Sequence, residues 1–469
     1  MIQAGTSGLF ERIRVLERTV AESRDDLRSL VRLGIERRRR GDISGAYDAF
    51  LGARALSPHD ENVRRELAGY PAWPSFRGGA GRTGTSATRA PRKAPRIRWV
   101  RPLEGTVHVS TPTAVAAASD RVFATVSREV YAASENGLAP SRPMGTVYAL
   151  DADDGSVLWS HAVVGLPSAP THAGDLVLVH AWRGFGTDEE PKPGSVLLAL
   201  DAETGKLRFR VDLPAEERIR PLAEVHPPLA LDDRAVVATT PFLTDQGSAY
   251  IACIDLRSGE LLWQVERSRL EGDIAASSHS VYARSPNTFG LRLESLSVRD
   301  GRVEFSFPIC SGKALVAASG RVLALEEFPR DRLVCLDGKS GKLLWQTASK
   351  HGRFYAPVVT DQEVLLPAEN PQGAAILQRL DLATGKKLDR APESIVSSRS
   401  GISVADGVIV GSGGAVGLAR DAFEHVLWRD MQIRVDLNAD EDLAVAHGRI
   451  FGVSKSGVAF CFDERTAAG

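Results

Sequence analysis

The sequence predicts a mainly β fold: an eight-bladed β-propeller with a short α-helical module at its N-terminus. Three observations carry this reading. One short phrase recurs eight times at intervals of about 45 residues, the repeat length of a four-stranded blade. Its key positions are Asp151, Asp201, Asp255, Ser297, Asp337, Asp381, Asp421 and Asp463. Strand-like residues flank a tight turn in each copy, as in Tyr148-Ala149-Leu150-Asp151 through Gly155 to Trp159. Residues 8–69 follow a helical period instead.

The helical module comes first. Ile13, Leu16 and Val20, then Leu27, Leu30, Val31 and Leu33, keep the spacing of one helix face. Ser23 is expected to cap a second helix, with Asp25 and Asp26 in its first turn. Gly41-Asp42 breaks the pattern, and a third helix with Ala46, Phe50 and Ala53 stops at Pro58. Leu30, Leu33, Gly34, Gly41, Ala46, Phe50, Ala53 and Pro58 resemble the tetratricopeptide repeat. The resemblance covers one unit and departs at Arg37, where the motif has an aromatic. One unit cannot bury its own apolar face. It must lean on the flanking helices, on the propeller or on another chain. The resemblance implies that the first helix lines a peptide groove, which places Arg28, Val31, Ile35, Arg38 and Arg39 at partner-binding positions. The four arginines 37–40 also read as a solvated helix end that complements the helix dipole.

An extended linker arm is expected over 71–95, between a helical module at 1–70 and a propeller at 96–469. It contains Trp73-Pro74-Ser75-Phe76-Arg77-Gly78-Gly79 and then a polar, Pro- and Arg-rich stretch. Ile97-Arg98-Trp99-Val100 reads as an outer strand with no repeat ahead of it, while the eighth copy stops soon after Asp463. Each supplies what the other lacks, so strand 97–100 is expected to complete the C-terminal blade. Closing the ring removes free strand edges.

Within each repeat, glycines such as Gly155 can take positive φ in the turn. The aspartate accepts hydrogen bonds from the turn backbone, and the outer-strand aromatic is expected to pack across to the neighbouring blade. Cys253, Cys335 and Cys461 sit two residues before the key position, where Ala149, Ala199, Ser295 and Ala419 stand in other copies. That position calls for a small buried side chain, so these cysteines read as packing groups. Ser297, Arg379 and Asp389 depart from the pattern, and one residue is missing before Trp428. Looser blades are expected there.

The combination Ala-x-Asp-x-x-Thr-Gly-x-x-x-Trp, seen closely in Asp201-Ala202-Glu203-Thr204-Gly205, resembles the tryptophan-docking motif of pyrroloquinoline-quinone-type propellers. The resemblance covers about residues 73–469, since 73–84 also resembles a leader found ahead of many bacterial members. The family implies two function classes: quinone-dependent dehydrogenases, and cofactor-free propellers that bind proteins or act as scaffolds. The dehydrogenases typically carry a vicinal disulfide, a Trp platform and a calcium cluster. Here no two cysteines are adjacent, and Trp182 is the only tryptophan not assigned to an outer strand or the leader.

Composition narrows the choice further. The formal charge is −1, so no strong field favours nucleic acid or an anionic surface. The first residues lack a signal-peptide pattern and no apolar run is long enough to span a bilayer, so a cytoplasmic location is expected, with the envelope as the alternative. His108, His172, His226 and His351 are placed near one rim without a recurring carboxylate, and Gly411-Ser412-Gly413-Gly414 reads as a tight turn. Insertions at 128–144 and 182–193 lengthen one face of the propeller, which rigid-scaffold logic marks as the recognition face. Arg218, Arg220, Arg353 and Tyr355 are its candidate contact residues.

The expected function is a non-catalytic adaptor with other proteins as partners and no cofactor, metal or catalytic residue. Two modules on one chain would allow bivalent recruitment. The alternatives are a quinone-dependent or small-ligand site at the channel, and an exported envelope assembly scaffold.

Overall fold

The computed structural model describes residues 73–107, 114–182, 194–213, 224–240, 249–390, 402–429 and 443–464, with short gaps, and parts of 15–66. Eight antiparallel sheets follow one another along the chain and form the eight blades. In blade 1 the strands are Ala116–Ala117, Arg121–Ser134, Gly137–Asp151 and Val157–Val164. Blade 8 is built from both ends of the propeller. Ala444–Ala446, Arg449–Val453 and Val458–Asp463 supply three strands, and Arg96–Pro102 pairs antiparallel with the last, Trp99 opposite Cys461.

The core is divided rather than central. Val196, Leu198 and Leu200 pack towards blade 1, while Leu197 and Ala199 of the same strand pack towards blade 3. That is the two-residue alternation of a strand buried on both faces. One apolar layer therefore fills each of the eight junctions between neighbouring blades.

The aromatic of the outer strand secures six of those junctions. Trp99, Trp159, Phe209, Trp263, Phe305 and Trp345 lie against Gly155, Gly205, Gly259, Gly301, Gly341 and Gly385 of the next blade. A methyl group on any of these glycines would fall within 2.9 Å of the ring, and all six have positive φ. Each tryptophan also donates from Nε1 to the carbonyl just after the key position, as Trp159 does to Ala202 at 3.1 Å. The key aspartate holds the turn: Asp201 Oδ1 accepts from Glu203 N, Thr204 N and Thr204 Oγ1. Ser297 Oγ accepts only Arg299 N at 3.2 Å among the bonds described.

The three cysteines lie opposite Trp263, Trp345 and Trp99 and are buried. Burial pushes the thiols up to about 11, 12 and 12 for Cys253, Cys335 and Cys461. They are packing groups, not nucleophiles.

The seventh repeat corrects the sequence reading. Its third strand is Gly414–Leu418, and Val408 pairs with Gly417 where the other blades place the key residue. Gly417, not Asp421, holds that position, and Ala415, not Ala419, is in register with Trp428. The cause is the short hairpin that pairs Gly411 with Gly414, which starts the third strand early. Asp421 lies outside the described residues.

In blade 6 the small residue and its aromatic are replaced by Arg379 opposite Asp389. Arg379 is fully buried and binds Glu363 through two hydrogen bonds, Nε to Oε2 at 2.5 Å and Nη2 to Oε1 at 2.6 Å. A bidentate ion pair thus stands where other blades carry a small residue beneath an aromatic strand.

In the helical segment, helix Leu27–Arg39 packs Leu30 with Ala46, Phe50, Ala53 and Val63. Gly34 lets the helix meet Phe50, whose ring would lie 2.6 Å from a methyl group there. Asp26 is the helix cap rather than a first-turn residue: its carboxylate accepts from Arg28 N, Ser29 N and Ser29 Oγ. Ser23 and Asp25 lie outside the described residues.

Candidate partner face and the closed channel mouth

Blade topology gives the propeller two faces. One carries the turns that hold the key aspartates, together with the hairpins after the innermost strands. The other carries the loops between second and third strands and the crossovers between blades. The two are built very differently here.

At the turn-side mouth the chain fills its own channel. Residues 73–89 pass the innermost strands of the blades in order. Trp73 exchanges two backbone hydrogen bonds with Ala117 of blade 1. Pro74 O accepts His172 N of blade 2 at 2.7 Å. Ala80, Gly81, Thr83 and Gly84 accept from Ala276, Ala317, Val359 and Val404 of blades 4 to 7 at 2.8–2.9 Å. Thr85–Ser86 adds a parallel strand to blade 7, and Thr88 and Arg89 accept from His447 and Gly448 of blade 8.

At blade 3 the strap donates instead: Arg82 Nη2 donates to Pro227 O at 2.9 Å. Arg77 donates to Pro357 O of blade 6. Trp73, Ser75, Phe76, Arg77 and Arg82 are all buried, and the Arg82 guanidinium lies 5.2 Å from the Phe76 ring centre. Arg77 and Arg82 have φ of 53° and 54°, and Gly78 could not carry a side chain because Thr85 O lies 2.5 Å from its would-be Cβ. The segment folds back tightly between blades 2 and 4 and fills the mouth.

The loop side carries the insertions and the residues that the sequence marked as candidate contacts. Strands Arg121–Ser134 and Gly137–Asp151 extend as one long hairpin, so the insertion at 128–144 continues the blade. Arg353 is exposed, Phe354 is buried, and the Tyr355 hydroxyl donates to Glu369. Phe354 N donates to Asp331, whose carboxyl burial holds above the usual range. Arg218 and Arg220 lie outside the described residues. In the helical segment Arg28 is exposed, whereas Val31 and Ile35 pack against the Phe50 core. Helix Leu27–Arg39 includes Arg38 and Arg39.

Among the described residues nothing matches the features typical of the quinone enzymes. Trp182 ends strand Leu176–Trp182, buried between Leu166 and Val225, and so presents no ring to the channel. The thiols of Cys253, Cys335 and Cys461 lie in separate blade junctions. Among the described residues no group of three or more His, Cys, Asp or Glu side chains is placed to hold a metal. The described residues do not fit a quinone with its calcium ion. Of the rim histidines, His172 stacks on Phe123 at 5.4 Å, and His226 O faces Nδ1 of the fully buried His180 at 3.3 Å. Burial lowers His172 and His180 to about 4. His108 and His351 lie outside the described residues.

One junction element was not foreseen. Arg121, Arg234 and Arg449 open the second strands of blades 1, 3 and 8 and donate to Ala202 O, Val298 O and Ala152 O. These are the carbonyls that Trp159, Trp263 and Trp99 also bind. The signal was present as a recurring Asp-Arg or Gly-Arg step, including Gly320-Arg321.

The fold and its junctions define a propeller of the quinoprotein-like repeat class. A family model described as outer membrane protein assembly factor BamB matches residues 96–190, 143–314 and 308–468. The chain belongs to that family. It is 24% identical over 255 residues to the outer membrane protein assembly factor BamB of Moranella endobia, covering 51% of this chain and 57% of that one. It is 25% identical over 229 residues to the same factor of Yersinia pestis, covering 45% and 51%. The chain thus spans about half the length of the curated relatives it matches. Quinohemoprotein alcohol dehydrogenase from Comamonas testosteroni shares the fold, with TM-score 0.55, 14% identity and coverage of 87% and 83%. No helix among the described residues is long and apolar enough to cross a membrane.

Proposed function

We propose that this chain is a non-catalytic protein-binding scaffold that works in assembly at the cell envelope. The observation that carries the reading is the pairing of family membership with a channel mouth filled by the chain's own residues 73–89. Family membership favours the envelope over the cytoplasmic location expected from the N-terminal residues.

The loop-side face is the proposed partner surface, with Arg353 and Tyr355 at its rim and the long hairpin of blade 1 beside them. Arg218 and Arg220 belong to the same proposed surface by their place in the sequence. Residues 1–70 form a tetratricopeptide-like module, in which Arg28, Arg38 and Arg39 offer a second surface, while Val31 and Ile35 serve its own core. Residues 71–95 join it to the propeller at 96–469.

Two experiments test this reading. Titrating the full chain with pyrroloquinoline quinone and calcium is expected to give neither saturable binding nor dye reduction; turnover would defeat it. Affinity purification from envelope fractions is expected to recover a defined partner, lost in Arg353→Glu/Tyr355→Ala. An unchanged partner set would move the surface elsewhere.

A further inference from the structure

We infer that residues 73–89 form a strap that seats on the ring as one cooperative unit, and whose release uncovers the turn-side mouth of the channel. Four features carry this. The strap accepts a backbone hydrogen bond from one inner-strand N–H in each of blades 1, 2, 4, 5, 6 and 7: Ala117, His172, Ala276, Ala317, Val359 and Val404. Those donors lie at the same place in each blade, one residue before the hairpin that follows the innermost strand. The free edges of the inner strands therefore form a circular set of donors that the strap satisfies.

The strap also cross-braces itself. Arg82 Nη1 donates to Ser75 Oγ at 3.2 Å and Phe76 O at 2.7 Å, and Gly84 N donates to Arg77 O at 2.9 Å. Residues 75–77 are thereby tied to residues 82–84 within the strap. Arg77 and Arg82 add side-chain bonds to Pro357 O and Pro227 O of blades 6 and 3. By contrast, the blade junctions rest on large apolar layers to which the strap adds Trp73 and Ala80, while its Phe76 packs separately with Ala114 and Ala169. Strap and ring are held by different forces, so the strap can lift while the blades stay folded.

Native-state hydrogen exchange on the full chain tests this. In the unmodified protein, exchange at the six donor amides is expected to follow one common dependence on denaturant, shallower than that of buried blade amides such as Ile254 and Leu336. Arg82→Ala should then speed exchange at all six by a similar factor, about 10- to 100-fold for the loss of its buried hydrogen bonds. Val404, far along the strap from Arg82, should respond as much as Ala276, while Ile254 and Leu336 stay unchanged. Six separate denaturant dependences, or acceleration confined to the Ala276 side, would show that the strap is not one unit. Six amides that exchange only with the blade interiors would show that it leaves only when the ring unfolds. Either result overturns the proposal, and the unmodified chain alone suffices should Arg82→Ala fail to fold.

Discussion

Trp99 lies against the glycine face of Gly155, across the seam where the two ends of the propeller meet. A methyl group at Gly155 would sit 2.6 Å from the indole, and Trp99 Nε1 donates to Ala152 O at 3.1 Å. Arg449 Nη1 donates to the same carbonyl at 2.9 Å. Arg98 from the N-terminal strand pairs with Asp463 from the C-terminal one. A single turn of blade 1 thus receives both halves of blade 8.

Trp99→Ala should lower stability by about 3–5 kcal/mol, the cost of emptying a well-packed aromatic site. Arg449→Ala should cost about 1–2 kcal/mol through its hydrogen bonds. Because the two share an acceptor, the double variant should lose less than the sum. Chemical denaturation of the three variants checks this; full additivity would mean that the carbonyl does not couple them.

Two glycines separate backbone strain from close contact. Gly155 and Gly174 have φ of 71° and 64°, but nothing lies within 4 Å of a Cβ built on Gly174. Gly174→Ala should cost about 1 kcal/mol, the conformational term alone. Gly155→Ala should cost at least about 2 kcal/mol more, because the Trp99 ring must also move. Equal melting temperatures for the two variants would contradict the packing read at the seam.

Arg379→Ala should destabilise the protein by about 3–5 kcal/mol, because it strands the Glu363 carboxylate in the interior. Replacing both residues by leucine should recover most of that loss, since an apolar pair needs no compensation for burial. A denaturation midpoint for the double variant as low as that of the single one would show that the pair is structurally irreplaceable.

Stability should fall as pH drops from 6.5 towards 4. His172 and His180 are held neutral by burial, with folded values near 4 against an ordinary value of 6.5. In that window the unfolded chain binds protons that the folded chain does not, so acid favours unfolding. The effect reaches up to about 3 kcal/mol per histidine and vanishes above pH 6.5. The Asp201, Asp255, Asp337 and Asp381 carboxyls are held below their usual value. Their contribution is lost only as pH falls through those lower values. His180→Asn should flatten the difference between midpoints at pH 7 and pH 5; an unchanged difference would show that His180 is not the source.

Much of this was legible in the sequence because the relevant signals are local. An aspartate that holds a turn and a glycine beneath an aromatic need only short spacings, which is why Asp151, Gly155 and Trp159 announced a blade. The unpaired Trp99 strand announced closure by the same logic. What was missed depends on distant partners or on a slipped register. Gly417 carries no side chain to mark its place, and a short hairpin shifted it against Asp421. Arg379 read as a defect until Glu363 stood beside it. An extended arm on the propeller was read over 85–95, but the circuit of residues 73–89 around the inner strands was not, because most of its bonds are made by backbone groups that every residue possesses.

In-cell lysine cross-linking of the full chain tests the scaffold account most directly, since both faces carry reporters. Lys313 and Lys455 lie on the loop side, and Lys206, Lys342 and Lys386 lie on the turn side. Partner cross-links from the envelope fraction are predicted at Lys313 and Lys455, with few or none at the turn-side lysines. Cross-links confined to Lys206, Lys342 and Lys386 would contradict it.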